Sequence, residues 1–145
     1  MENIEAESFE LPVKRGDTGS IGSQALAVKK KLGGFFTKND DLRRLGVCIF
    51  EAEANLAIHT SAGGVITITL LHNAVRVTAR DTGPGIADME KALTMGYSTA
   101  PVWARELGFG SGMGLKNIRR VADFFDIKSS PKGTEVVFEV RKHAS

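Results

Sequence analysis

Cysteine is almost absent from this chain, and the single residue, Cys48, falls inside a helical pattern. One cysteine excludes an internal disulfide and a cysteine-rich metal site. No basic group stands beside it in sequence, so the thiol reads as packed and inert, not as a nucleophile. Long apolar runs are missing too, and none is able to span a bilayer. The opening stretch, MENIEAESFE, is acidic and lacks the basic, apolar pattern of an export signal. These absences predict a cytoplasmic protein with no membrane partner. The charge excess is only +2 and is spread along the chain, which leaves no basic arm or stripe for nucleic acid. Repeats, low-complexity tracts and Pro-rich linkers are also lacking. The 145 residues therefore predict one domain, 1–145, around one core.

What is present is an alternation of strand and helix signals. Residues 9–14 suit an edge strand, where Pro12 is tolerated because an edge donor is dispensable. A helix is expected over about 20–32, ended by Gly33 and Gly34 in left-handed conformations. Thr37 and Asp40 form a T-x-x-D start related to a capping box. Leu42, Leu45, Ile49, Ala52 and Leu56 then recur at helical spacing, to about His59. Residues 65–71 and 75–80 are rich in β-branched side chains and read as a hairpin turning at His72, Asn73 and Ala74. A short helix is expected over 88–95, a long loop over 96–112, and another helix over 114–124. Loops of that length are uncommon unless functional. A last hairpin joins 126–129 to 135–141. The order predicts an α/β (α+β) two-layer sandwich, a mixed sheet with helices on one face.

Three stretches carry chemistry. In DTGPGI, residues 81–86, a carboxylate at a strand end can accept a hydrogen bond from a ligand amine, and the glycines let the backbone approach closely. An ordinary Gly-Pro-Gly turn explains the same residues equally well. In GFGSGMGL, residues 108–115, alternating glycines run into a helix start, a natural phosphate cradle. It lacks the Gly-Lys-Ser/Thr ending of a P-loop, and it follows a loop where a dinucleotide fingerprint follows a strand. On the helix before them, Glu51, Asn55 and His59 are four apart, about 40° between successive side chains. Asn55 can offer an oxygen to Mg²⁺, which takes few protein ligands, and Glu51 can orient or deprotonate a nucleophile. A polar helix face accounts for either residue alone. Glu53 points about 200° from Glu51 and is expected in solvent. His59 is read as a structural partner of the helix C-terminus.

The joint order E-x-x-x-N, D-x-G-x-G, G-x-G-x-G-x-G and Gly133-Thr134 resembles the GHKL ATPase superfamily over roughly residues 40–141. Within it, MGYSTAPVWARELGFGSGMGLKNIRRVADFF is similar to the anti-sigma-factor-type serine/threonine kinases, with the RsbT-like switch kinases of the stressosome as the nearest branch. The resemblance implies a Bergerat ATP-binding fold, Mg²⁺ and ATP as cofactors, and phosphorylation of small STAS-domain partners, with a downstream regulator bound or released in the switch. It also implies roles by position. Asp81 would bind the adenine amine, with Gly83 and Gly85 beside it. Asn55 would ligate Mg²⁺ and Glu51 would be the catalytic base. Gly108, Gly110, Gly112, Met113, Gly114 and Leu115 would form the lid and phosphate cradle, and Thr134 would support the adenine side. Gly110 stands where related kinases carry Arg, and Arg105 is the candidate replacement. Two other readings stay open: an anti-sigma-type nucleotide-dependent binding protein, and a detached histidine kinase catalytic domain, which Glu51 disfavours.

Overall fold

A computed structural model describes residues 7–14, 16, 18–59, 63–81, 114–130 and 133–143. The expected helix over 88–95 and loop over 96–112 lie outside the described residues, as do Gly83, Gly85, Arg105, Gly108, Gly110, Gly112 and Met113. The described strands are β1 (Ser8–Val13), β2 (Gly64–Leu70), β3 (Ala74–Asp81), β4 (Phe124–Ser130) and β5 (Gly133–Arg141). The described helices are α1 (Ser23–Lys31), α2 (Asn39–His59) and α3 (Gly114–Val121), with a 3-10 turn at Thr18–Ser20. The sheet order is β1-β2-β3-β5-β4, with β1 at an edge as Pro12 requires. Every pairing among these strands is antiparallel, where a mixed sheet was expected. The two-layer α+β reading otherwise holds. None of the described helices is long and apolar enough to cross a membrane.

Leu45, Ile49, Ala52 and Leu56 bury one stripe of α2 together with Ile66, Ile68, Val75, Val77, Phe138 and Val140 of the sheet. Each of these side chains larger than Ala52 contributes roughly 1.5–3 kcal/mol on leaving water. Cys48 lies fully inside this core, and burial pushes its thiol up to about 12, so it is inert as expected.

Three local expectations fail for identifiable reasons. Neither Gly33 nor Gly34 takes a positive φ; instead Leu32 N–H donates to Val28 O, and Phe35 N–H to Leu32 O, so the chain leaves α1 through continued turns. Helix α2 starts at Asn39, not after a Thr37 cap, and Asp40 pairs with Arg43 at 2.9 Å. The last helix stops at Val121, and Phe124 begins β4 opposite Glu139.

The largest correction concerns Glu53, which is buried and not solvated. Its angular position is as expected, but α1 covers that side of α2. Glu53 Oε2 accepts the Gly22 N–H at 3.1 Å and Oε1 the Ala25 N–H at 2.7 Å, with a further bond from the Gln24 N–H. The first N–H groups of a helix have no internal partners, and the N-cap residue of α1, Gly22, has no side chain to supply one. A carboxylate from α2 fills that role at the positive end of α1. Burial raises the Glu53 carboxyl, and these N–H donors offset only part of that rise.

At the start of α2, Asp41 Oδ2 accepts the His143 backbone N–H at 2.9 Å, and Asp41 Oδ1 lies 2.9 Å from His143 Nδ1. Arg44 joins Asp41 Oδ1 (3.3 Å), Asp123 Oδ2 (2.9 Å) and Val121 O (2.9 Å). Asp123 Oδ2 also accepts the Arg141 N–H at 2.7 Å. This clasp ties α2, α3 and the end of β5 together. Burial alone would raise the Asp41 carboxyl, but His143 and Arg44 outweigh it and hold the group below its ordinary 3.8.

Two predictions follow the packing. Glu53→Ala leaves helix N–H groups without their acceptor and should cost about 1–3 kcal/mol in denaturant unfolding, with Glu53→Gln losing less; wild-type stability in the Ala variant would refute the cap. For Asp41, a depressed folded pKa means that its ionised form stabilises the fold. That contribution is full above the ordinary 3.8 and fades as pH falls through the lower folded value. The melting-temperature gap between wild type and Asp41→Asn should therefore be wide at neutral pH and close in acid. A gap independent of pH would contradict the clasp.

Candidate functional site

The apolar stripe of α2 faces the sheet, so the helix geometry turns Glu51 and Asn55 to one flank, one turn apart. Helix α3 packs on that flank. A Cβ added to Gly114, the first residue of α3, would lie 3.1 Å from Glu51 Oε2. Helix α3 therefore begins against the Glu51 carboxylate, and a side chain at this position would make that contact tighter than usual. Glu51 and Asn55 are both half-buried. Burial raises the Glu51 carboxyl above its ordinary value, and a hydrogen bond from the Asn117 side chain draws it partly back. A carboxylate raised in this way holds a proton more readily and is the stronger base.

Just past Asn55, Leu56 Cδ2 and the Arg80 carbonyl oxygen crowd Gly64, the former 2.8 Å from where a Cβ would stand and the latter closer still. Gly64 opens β2 and pairs with Asp81, the last residue of β3. The β3–β5 register sets Val75 opposite Val140, Val77 opposite Phe138 and Ala79 opposite Val136. One further step along the same face brings Asp81 level with Thr134. The buried row of apolar pairs thus ends on two polar residues, Asp81 at 8% and Thr134 at 6% exposure. Removing a carboxylate from water is costly unless donors meet it. Both residues have partners within the fold. A carboxylate has about four acceptor sites, so Asp81 can also take a ligand N–H.

Among the described residues, Glu51 thus lies against Gly114, Asp81 stands level with Thr134, Leu56 beside Asn55 packs on Gly64, the partner of Asp81, and Leu115 follows Gly114 on α3. Leu115 differs in kind, since it is buried in the core and anchors α3. The glycines Gly83, Gly85, Gly108, Gly110 and Gly112, with Met113, lie outside the described residues, as does the His59 side chain. Sequence reasoning missed Asn117. It lies three residues after Gly114, hence on nearly the same face of α3, and that spacing was the available signal.

A carboxylate with a raised pKa, an amide one turn away, a helix N-terminus and a buried Asp at a strand end suit Mg²⁺ and a purine nucleotide. Among the described residues, the Asn55 side chain offers an oxygen suited to a divalent metal such as Mg²⁺, which takes few protein ligands. Asp81 is the acceptor available to an amine-bearing base, and the α3 N-terminus suits phosphate.

The chain is similar to several known proteins. The anti-sigma F factor of Bacillus licheniformis is 35% identical over 112 residues, covering 73% of this chain and 72% of that protein. The serine/threonine-protein kinase RsbT of Bacillus subtilis is 28% identical over 100 residues, covering 66% and 69%. Among solved structures, the RsbU and RsbW domains of a Mycobacterium tuberculosis protein align with a TM-score of 0.64 at 13% identity, over 96% of this chain and 35% of that longer one. The catalytic domain of histidine kinase ThkA aligns at 0.53 and 19% identity, over 94% and 98%. At these identities the structures speak for the fold alone, and that fold is the expected Bergerat one. Residues 40–144 match the family described as histidine kinase-, DNA gyrase B-, and HSP90-like ATPase, and the chain belongs to that family.

Proposed function

We propose that this protein is an ATP-dependent serine/threonine kinase of a cytoplasmic partner-switching pathway, with small STAS-domain proteins as its acceptors. The observation that carries the reading is Glu51, a half-buried carboxylate with a raised pKa, one helical turn from Asn55 and against the start of α3. The relative named as a serine/threonine-protein kinase supports the same chemistry. In this reading Asp81 accepts from the adenine amine, and Thr134 lies beside it on β5. Asn55 holds Mg²⁺, which when bound supplies positive charge to the phosphates. The glycine segment of residues 108–114 lends backbone N–H groups to the phosphates.

Glu51 then serves the acceptor. The hydroxyl oxygen of a serine or threonine forms a bond to the γ-phosphorus, and the bond from that phosphorus to the β,γ-bridging oxygen breaks. ADP leaves, and the hydroxyl proton passes to a Glu51 carboxylate oxygen. A positioned base of this kind contributes ~10²–10⁴-fold in rate. A second reading is a nucleotide-dependent binding protein with little turnover, favoured by the relatives named anti-sigma F factor.

Glu51→Ala separates the two. The variant should bind ATP nearly as wild type does, yet lose most phosphotransfer in a time course with candidate STAS proteins. The wild-type product should survive acid, as phosphoserine and phosphothreonine do. Undiminished transfer would remove Glu51 as base, an acid-labile product would favour a histidine acceptor, and no transfer by wild type would favour the binding protein. Asp81→Asn keeps the shape but sets a donor against the adenine amine. It should lose about 1–3 kcal/mol of ATP binding by calorimetry, and wild-type affinity would sink the adenine assignment.

A further inference from the structure

The kinase reading assigns Glu51 but says nothing of what holds its carboxylate. On α3, Asn117 lies one turn after Gly114, the residue that abuts Glu51 Oε2, on the side of the helix turned toward that carboxylate, and its amide offsets part of the rise that burial imposes on Glu51. One turn further, Arg120 Nη2 donates to Asn117 Oδ1 at 3.0 Å. A guanidinium has no acceptor. The Asn117 oxygen is therefore committed to Arg120, and the amide is left to present its N–H₂ toward the carboxylate. Gly114, Asn117 and Arg120 share one face of α3 at three-residue spacing, and Leu115 and Ile118 bury the adjacent face and fix the helix in the core.

We infer that Asn117 is a positioning residue for the Glu51 carboxylate, with Arg120 locking the orientation of its amide. This inference rests on the kinase reading for its catalytic consequence, but the contact itself is independent of it. Only one orientation of the amide donates to Glu51, and Arg120 favours that one. The device couples the setting of the base to the register of α3, the helix that follows the glycine segment.

The test uses the full chain and three variants, Asn117→Ala, Arg120→Ala and Arg120→Lys. The first readout is the Glu51 carboxyl titration by ¹³C NMR, assigned through Glu51→Gln. An amide donor stabilises the ionised carboxylate, so its loss should raise the Glu51 pKa in Asn117→Ala. Arg120→Ala should raise it less, and Arg120→Lys, which keeps a donor, should restore the wild-type value. The second readout is phosphotransfer against pH. In Asn117→Ala the acidic limb should move to higher pH and kcat should fall ~10-fold, the lower end of what supporting partners cost at other sites. ATP affinity should be unchanged. A Glu51 titration identical in Asn117→Ala and wild type would overturn the inference, whatever the kinase assay gives. If wild type transfers no phosphate, the kinase reading fails, and the titration still decides whether Asn117 holds Glu51.

Discussion

Burial of one stripe of α2 against the sheet is the constraint on which the rest depends. With Leu45, Ile49, Ala52 and Leu56 fixed inward, about 100° per residue leaves no freedom for the others. Glu51 and Asn55 fall about 90–130° to one side, and Glu53 about 70° to the other. The first flank receives α3, so Glu51 meets Gly114 and Asn117. The second receives α1, so Glu53 meets the N–H groups of Gly22 and Ala25. A single helix thus sets two carboxylates in different surroundings, Glu51 against the start of α3 and Glu53 against the start of α1.

The same burial sets their proton affinities. Both carboxyls are raised by loss of water, which makes Glu51 a better base and makes the ionised form of Glu53 costly. For raised carboxyls the stability sign is the reverse of that for Asp41: their contribution is greatest in acid and is lost as pH rises through the folded value. Asp41, Arg44 and Asp123 compensate at the other end of α2. There the clasp to His143 and Arg141 fixes the helix ends that the site needs aligned. The close approach at Gly64, between Leu56 and the Arg80 carbonyl, sets the Asn55 end of α2 against the strand that carries Asp81.

Much of this was legible in the residues. The α2 stripe, both hairpins and the edge strand with Pro12 follow from periodicity and turn chemistry, and the proposal for Glu51, Asn55 and Asp81 rests on the motif order. What was hidden depends on neighbours distant in sequence. Nothing near Glu53 announces that α1, 28 residues before it, brings N–H groups to its carboxylate. Asp41 and His143 are 102 residues apart. Asn117 sits in a run of ordinary helix formers and acquires a role only when α3 is laid along α2. The all-antiparallel pairing was likewise a matter of strand order, which local patterns do not encode.

The central claim is that one end of α2, the start of α3 and the ends of β3 and β5 form a single Mg-ATP site with Glu51 facing the transferred phosphate. A crystal structure with Mg²⁺ and a non-hydrolysable ATP analogue tests it most directly. The account predicts the adenine amine hydrogen-bonded to Asp81, the Asn55 side-chain oxygen in the metal's coordination shell, and the Glu51 carboxylate directed at the γ-phosphate while still held by Asn117. A nucleotide bound away from Asp81, or a metal without Asn55, would contradict it.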